Sequence, residues 1–184
     1  MDNQYKLGFC GLLKTYPKIN LLKSIVIPLL IDFVLILIIV QNETNTFELI
    51  KFISESITAI IPNILGFILT GYAVIISISE EKYLKIMVKK LKGRDVTLFQ
   101  TVNSTFAFVL ISLCFTLIIG FLVNLVIKSN INVLDCFVNS IDSINMTFLS
   151  ILLFLILYSL FSILDIILNV FDFGQFVNKI EENT

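Results

Sequence analysis

The chain has 184 residues, of which 57% are hydrophobic, and its mean hydropathy is +0.97. Soluble domains usually contain about 45–50% apolar residues, so this composition indicates a membrane protein with a single domain, residues 1–184. The formal net charge is only −1, and there is no histidine. The lack of histidine removes the commonest metal ligand and the commonest general base near neutral pH.

The first 23 residues predict a basic helix at the membrane interface. Apolar side chains recur there at helical spacing between lysines, at Tyr5, Phe9, Leu12, Leu13 and Tyr16. A long apolar run follows at residues 24–40 without a small-x-small cleavage site, so we expect a retained span rather than a signal peptide. Pro28 and Asp32 interrupt this run, which leaves a re-entrant or interfacial segment as the alternative.

Three further apolar runs predict three more membrane spans, and the whole chain is predicted to be all-α, a four-transmembrane-helix bundle with short interfacial amphipathic helices. The runs cover residues 56–78, 105–127 and 147–171. As helices they are long enough to cross a hydrocarbon core of about 30 Å. Between the last two runs, helical spacing predicts an outer interfacial helix through Leu134, Phe137, Val138, Ile141 and Ile144.

Charge predicts the orientation. Eleven of the thirteen lysines and arginines fall before the first run, in the loop of residues 79–96, or in the tail. Short cytoplasmic loops carry an excess of cations, so we expect both termini in the cytoplasm. The loop is predicted to form a basic inner surface that contacts anionic lipid rather than nucleic acid. Its cations are Lys82, Lys85, Lys89, Lys90, Lys92 and Arg94.

Small and polar residues recur at helical spacing inside the spans, which indicates faces that meet protein or water rather than lipid. Span one offers Ser24, Pro28 and Asp32. The helix-packing stripe of span two is Asn63, Gly66, Thr70, Ala73 and Ser77. Span three carries Thr101, Thr105, Ser112, Thr116, Gly120 and Asn124. The polar stripe of span four is Tyr158, Ser162, Asp165, Asn169 and Asp172. Whether these faces meet within one subunit or between subunits stays open.

Two aspartates are predicted to lie deep in the membrane. At about 1.5 Å per residue, Asp32 lies about 10 Å from the start of span one and Asp165 about 9 Å from the end of span four. We therefore expect one intramembrane polar layer of Asp32, Thr70, Ser112, Ser162 and Asp165. A mid-membrane carboxylate costs roughly 2.5–3.5 kcal/mol, so two of them indicate a role.

Three roles remain open for these aspartates. They could be structural, with a protonated carboxyl bonded to Ser162 or Thr70, or with Lys23 reaching Asp165. They could line a water-filled pore or cavity, or form a coupled proton or cation site.

No catalytic motif is present in the sequence. It has no HExxH, P-loop or GxGxxG motif, and neither aspartate has the YD or GxGD context of presenilin-type proteases. We therefore expect no enzyme, cofactor or metal site. Cys10, Cys114 and Cys136 form no CxxC pair and are interpreted as apolar fillers, with acylation of Cys10 as the alternative.

The segment IPNILGFILTGY, residues 61–72, runs on to Ser77 and to the Ser79-Glu80-Glu81 sequence. Together with the four-span layout and the basic second loop, it resembles small four-span membrane proteins of bacterial anti-phage defence systems, such as the Kiwa membrane subunit. The resemblance implies a homo-oligomeric inner-membrane sensor that works with a cytoplasmic DNA-binding subunit, and it transfers no functional residues.

The sequence thus favours a non-enzymatic, homo-oligomeric membrane sensor or pore-forming component of a bacterial antiviral system. It would contact membrane lipids and a cytoplasmic partner protein. One alternative is a small proton- or cation-coupled transporter, since small multidrug exporters also have four spans and an essential acid in the first, which Asp32 resembles. A second alternative is a membrane immunity protein against a toxin.

Overall fold

The computed structural model describes residues 8–16, 18–42, 44–77, 87–88, 96–129 and 141–182. These residues form five helices: α1 (Gly8–Thr15), α2 (Lys18–Gln41), α3 (Thr46–Ser77), α4 (Leu98–Lys128) and α5 (Ile141–Glu182). Four candidate membrane spans lie at Leu22–Gln41, Thr46–Ser77, Leu98–Lys128 and Asp142–Gln175. The chain is therefore a multi-pass membrane protein, and the prediction of an all-α fold with four spans is confirmed.

The helices extend well beyond the apolar runs. Helix α3 begins ten residues before the predicted span at residue 56, and α5 continues eleven residues past residue 171. At about 1.5 Å per residue, α5 is about 63 Å long, twice the thickness of a hydrocarbon core. The helical hydrogen bonds continue into the polar region, where Glu48 and Lys51 of α3 are exposed. A hydropathy count misses these turns because it registers only apolar residues.

The start of α4 is fixed by a capping box. The Thr97 hydroxyl accepts a hydrogen bond from the Gln100 backbone N–H at 3.1 Å, and the Gln100 side-chain oxygen accepts one from the Thr97 N–H at 3.0 Å. Two N–H groups that have no partner within the helix are thereby satisfied. Helix α4 therefore begins seven residues before the apolar run that predicted it.

Helices α3, α4 and α5 pack against one another and form the core, with the most extensive contact between α3 and α4. Its fully buried side chains include Ile57, Ile61, Phe106, Leu113, Leu149 and Leu152. At Gly120 the two helices approach so closely that an added Cβ would lie 2.4 Å from Ile57 Cγ2. A glycine is required there because any side chain would overlap α3.

Helix α2 lies outside this core and packs chiefly along α5, while α1 packs against α4. The connection between α2 and α3 is short, yet these neighbours in sequence are not a principal packing pair. Much of α2 is apolar and exposed, with Leu30 at 57% and Phe33 at 60%, as expected of a surface that faces lipid.

Several predicted features lie outside the described residues. They include the six cations of the basic inner surface, the greater part of the predicted outer helix, Tyr5 and Cys136. Of the predicted N-terminal stripe, Phe9 and Leu13 are exposed on α1, whereas Tyr16 is buried. Cys10 and Cys114 are exposed thiols without a disulfide partner.

Candidate functional site

Both deep aspartates lie where α2 and α5 pack together, but each has its own set of partners. Asp165 of α5 accepts two hydrogen bonds on Oδ2, from the Ser24 hydroxyl of α2 at 2.5 Å and from the Tyr16 phenol at 3.2 Å. The Asn169 side chain donates to the Asp165 backbone carbonyl at 2.6 Å. Asp165 thus connects the N-terminal part of the chain to the longest helix.

Tyr16 joins this carboxyl to the core. Its ring lies 4.5 Å from the Phe108 ring of α4, centroid to centroid, and only 4% of the residue is exposed. Burial, followed by the neighbouring Asp165 carboxyl, raises the pKa of the Tyr16 phenol above its ordinary value. The phenol therefore stays protonated and donates to Asp165. This contact fixes the corner between α1 and α2 against α4 and α5.

Asp32 is the less satisfied of the two carboxyls. It lies midway along the first span, and only 7% of the residue is exposed. Its Oδ2 accepts a hydrogen bond from the Ser150 hydroxyl of α5 at 2.8 Å, but its Oδ1 is buried with no partner. A buried polar atom without a partner is uncommon, and inside a membrane it indicates a ligand or a second binding group.

An open groove of about 380 Å³ adjoins Asp32 between α2 and α5. Its wall is apolar and aromatic apart from the Asp32–Ser150 pair. The lining residues are Leu29, Asp32, Phe33, Ile36, Ser150, Ile151, Phe154 and Leu155. Since Leu29, Phe33 and Ile151 are also exposed at the protein surface, the groove opens sideways toward the lipid.

The single polar layer expected from the sequence does not form. Ser150, the partner of Asp32, precedes Asp165 on α5 by 15 residues, a rise of about 22 Å. The two carboxyls therefore lie at different depths. The expectation was wrong because it assumed that the start of the first run and the end of the fourth run are level, whereas Asp165 lies beside Ser24, eight residues before Asp32 on α2.

The remaining members of that layer also have other partners. Thr70 is exposed and bonds the Gly66 carbonyl of its own helix at 2.9 Å. Ser112 and Ser162 likewise bond carbonyls within their own helices, each one turn back. Lys23 is exposed and does not pair with Asp165, whose donors are two hydroxyl groups.

The polar stripe of α4 faces the protein. Thr101, Thr105, Thr116 and Gly120 are buried, and Thr116 bonds the Ser159 hydroxyl of α5 at 2.8 Å. On α5 the stripe is buried or half-buried from Tyr158 to Asn169, and Asp172 at its end is exposed. The Thr116–Ser159 bond joins α4 to α5, whereas the Thr101 and Thr105 hydroxyls bond carbonyls one turn back in the same helical segment.

The stripe of α3 is entirely exposed in the protomer. Asn63, Gly66, Thr70, Ala73 and Ser77 all lie outside its core. At roughly 100° per residue they lie about 180° around the helix from the buried isoleucines of α3. A Cβ added at Gly66 would meet nothing within 4 Å. Among the helices that the structure describes, none of the same subunit packs against the stripe.

Sequence reasoning missed three of the groups that hold the aspartates. Tyr16 belongs to a stripe predicted to lie at the membrane interface, and Ser24 was counted among the polar residues of span one but was assigned no bond to Asp165. Ser150 carried a signal that was not used: with Phe154, Tyr158 and Ser162 it continues the α5 stripe toward the N-terminus at steps of four.

Neither a metal centre nor a relative explains these sites. Within the part of the chain that the structure describes, no group of three or more cysteine, aspartate or glutamate side chains could hold a metal ion. No protein-family model, curated protein or solved structure matches the chain.

Proposed function

We propose that the protein is a non-enzymatic, homo-oligomeric membrane sensor or pore-forming component of a bacterial antiviral defence system. It lies in the inner membrane with both termini in the cytoplasm. The observation that supports the oligomer is the exposed stripe of α3, and the assignment to defence follows from the resemblance of residues 61–72 described above.

The small and polar residues of the α3 stripe are better suited to contact with a second copy of the chain than to contact with lipid. Helices associate in membranes through small residues that let backbones approach, and through polar side chains that bond across the contact. The stripe supplies Gly66 and Ala73 for close approach, and Asn63 and Thr70, which bond carbonyls of their own helix in the single subunit, could also bond across the contact. In an isolated subunit these groups would face acyl chains, although large apolar side chains such as Phe67, 80% exposed, lie beside them.

The fold also offers an element that could move. Helix α2 is attached mainly to α5, while α3, α4 and α5 form the core. A disturbance of the envelope would shift α2 along α5 and change the hydrogen bonds of both aspartates. The basic loop would transmit the change to lipid or to a cytoplasmic partner protein. A mechanism in which the helices change between two packed arrangements needs no chemical reaction.

The oligomer is tested by the mass of the purified protein in a mild detergent, measured by light scattering during gel filtration. We expect a multiple of the 20.9 kDa protomer. Gly66→Leu, which fills the stripe, should reduce the mass to that of the protomer. Phe67→Leu, a change beside the stripe, is the matched control and should leave the mass unchanged. A monomeric wild type in mild detergents and in lipid nanodiscs would contradict the proposal.

The role in defence is tested separately in cells. The gene with its neighbours should lower the plating efficiency of at least one phage, and Gly66→Leu should abolish that protection while the protein still accumulates in the membrane. Full protection by a variant that stays monomeric would show that defence does not require the oligomer. A toxin gene as the neighbour would instead favour the immunity protein.

A second candidate, coupled transport of protons or cations, is favoured by one observation: the unpartnered Oδ1 of Asp32 in mid-span. Asp32→Asn should then abolish the uptake or efflux of protons or cations by proteoliposomes that contain the protein. Unchanged flux in that variant would exclude this candidate.

A further inference from the structure

We infer that Pro28 is a hinge within α2, so that the first segment of the helix, residues 18–27, leaves α5 while the second segment, residues 28–41, stays in place. The inference rests on the movement of α2 proposed above and gives it an order. The bonds of Asp165 open first, and the bond of Asp32 opens only afterwards. Both segments belong to one subunit, so the hinge does not depend on the homo-oligomer.

The buried side of α2 is narrow and consists of three residues. Of the α2 residues whose side chains the structure describes, only Ser24, Pro28 and Asp32 are buried. They follow one another at steps of four, which places them on one face of the helix, and α2 packs chiefly along α5. The contact therefore has a hydrogen-bonding residue at each end and the proline between them.

Pro28 interrupts the helix between these two bonding residues. Proline has no backbone N–H, so the Ser24 carbonyl lacks its usual donor within the helix, and the proline ring pushes against that carbonyl. Helices bend most readily at such a position. Ser24 bonds Asp165 on one side of it, and Asp32 bonds Ser150 on the other. Each segment can therefore tilt without breaking the bond of the other.

The first segment is attached near the membrane surface and is easily released. Ser24 lies two residues, or about 3 Å, from the start of the first span at Leu22, and its partner Asp165 is half-buried. After release, the Ser24 hydroxyl can donate to the carbonyl of residue 20 in its own helix, as the Thr70 and Ser77 hydroxyls do to carbonyls one turn back. Asp165 would stay close to water.

The second segment is held more firmly. Asp32 lies ten residues, or about 15 Å, from Leu22, so its separation from Ser150 would leave a carboxyl among acyl chains. Ile36 and Ile39 of this segment also pack against the core, whereas no apolar side chain described in the first segment does. The Asp165 bonds should therefore open before the Asp32 bond.

Quenching of bimane by tryptophan reports each contact separately, because the chain has no tryptophan of its own. In nanodiscs, and with the native cysteines replaced, bimane on Lys23→Cys is paired with Leu164→Trp beside the Asp165 bond. Bimane on Phe33→Cys is paired with Ile151→Trp, two exposed positions that line the groove beside Asp32. Adding Asp165→Leu should at least halve the quenching of the first pair and leave that of the second pair unchanged.

Two proline variants test the hinge itself. With Pro28→Ala added, α2 is continuous and both pairs should respond to Asp165→Leu together. Pro62→Ala removes the proline of α3 and is the matched control, so the unequal response should persist there. If Asp165→Leu fails to fold, Tyr16→Phe with Ser24→Ala removes both donors, keeps the carboxyl and should give the same result.

Three outcomes would overturn the inference. Quenching of the first pair that does not fall would mean that the Asp165 bonds do not hold the first segment. Equal falls in both pairs with Pro28 in place would mean that α2 moves as one body. An unequal response that persists in Pro28→Ala would remove the role of the proline. Both pairs lie within one subunit, so a monomeric protein would contradict the proposed oligomer but not this result.

Discussion

The hydrogen bonds to Asp165 predict a measurable coupling between α2 and α5. Interhelical hydrogen bonds in membrane proteins contribute about 0.6 kcal/mol on average and reach about 1.7 kcal/mol. The Ser24–Asp165 bond is short, at 2.5 Å, and Ser24 is 5% exposed, so it belongs at the upper end of that range. The Tyr16–Asp165 bond is longer, at 3.2 Å, and should lie near the average.

A double-mutant cycle isolates each bond. Ser24→Ala, Asp165→Leu and the double variant should give an interaction free energy of about 1.5 kcal/mol, and the cycle of Tyr16→Phe with Asp165→Leu about 0.6 kcal/mol. Because the chain has no tryptophan, unfolding in mixed micelles of dodecyl maltoside and increasing SDS is followed by far-UV circular dichroism.

The control cycle combines Ser24→Ala with Asp172→Leu, whose carboxyl is exposed and does not contact Ser24. The effects of these two changes on the free energy of unfolding should be additive. Additivity in the Ser24–Asp165 cycle as well, to within about 0.3 kcal/mol, would mean that the bond does not hold α2 to α5 and would refute the reasoning.

Three further predictions concern the core, the cap of α4 and pH. Gly120→Val should lower the free energy of unfolding by about 1–3 kcal/mol because its side chain would overlap Ile57, whereas Gly66→Val, where space is open, should lower it far less under conditions that keep both variants monomeric. Thr97→Ala removes the cap and should cost about 1 kcal/mol in the same assay, and Thr97→Ser should restore it. The folded pKa of Tyr16 lies above its ordinary value of 10.0, so its contribution to stability is complete below pH 10 and is lost as the pH rises beyond that. The free energy of unfolding should therefore fall above pH 10 in the wild type and fall less in Tyr16→Phe, and an equal fall in both would contradict the burial of this phenol.

Much of the fold follows from the sequence because a bilayer imposes a simple rule. Apolar runs of 20 residues must be helical in lipid, since every backbone polar group needs a partner within the segment. That rule places all four spans. It does not place their ends, because the helices continue through Glu48 and Lys51, and through the turns beyond residue 171, in a region where polar side chains are tolerated.

The partners of the aspartates are harder to predict for a different reason. The helical periodicity of a sequence shows on which face of its own helix a residue lies. It does not show that α2 pairs with α5, because that pairing depends on how all the helices of the bundle pack together. Asp32 could therefore be placed in mid-span from the sequence, while its bond to Ser150, 118 positions away in sequence, could not. The stripe of α3 shows the same limit, because its spacing marks one face without telling which subunit covers it.

The most direct test of the account is a cysteine scan of α3 in native membranes, in a background without the three native cysteines. Single cysteines replace the stripe residues Gly66, Thr70 and Ala73 and the flanking residues Phe67, Leu69 and Val74. Disulfides form only where Cα atoms approach to about 4.4–6.8 Å. If the stripe meets a second copy, covalent dimers should form at the three stripe positions and remain scarce at the flanking ones. Equal yields at all six positions, or dimers confined to the flanking set, would contradict the proposed contact between subunits.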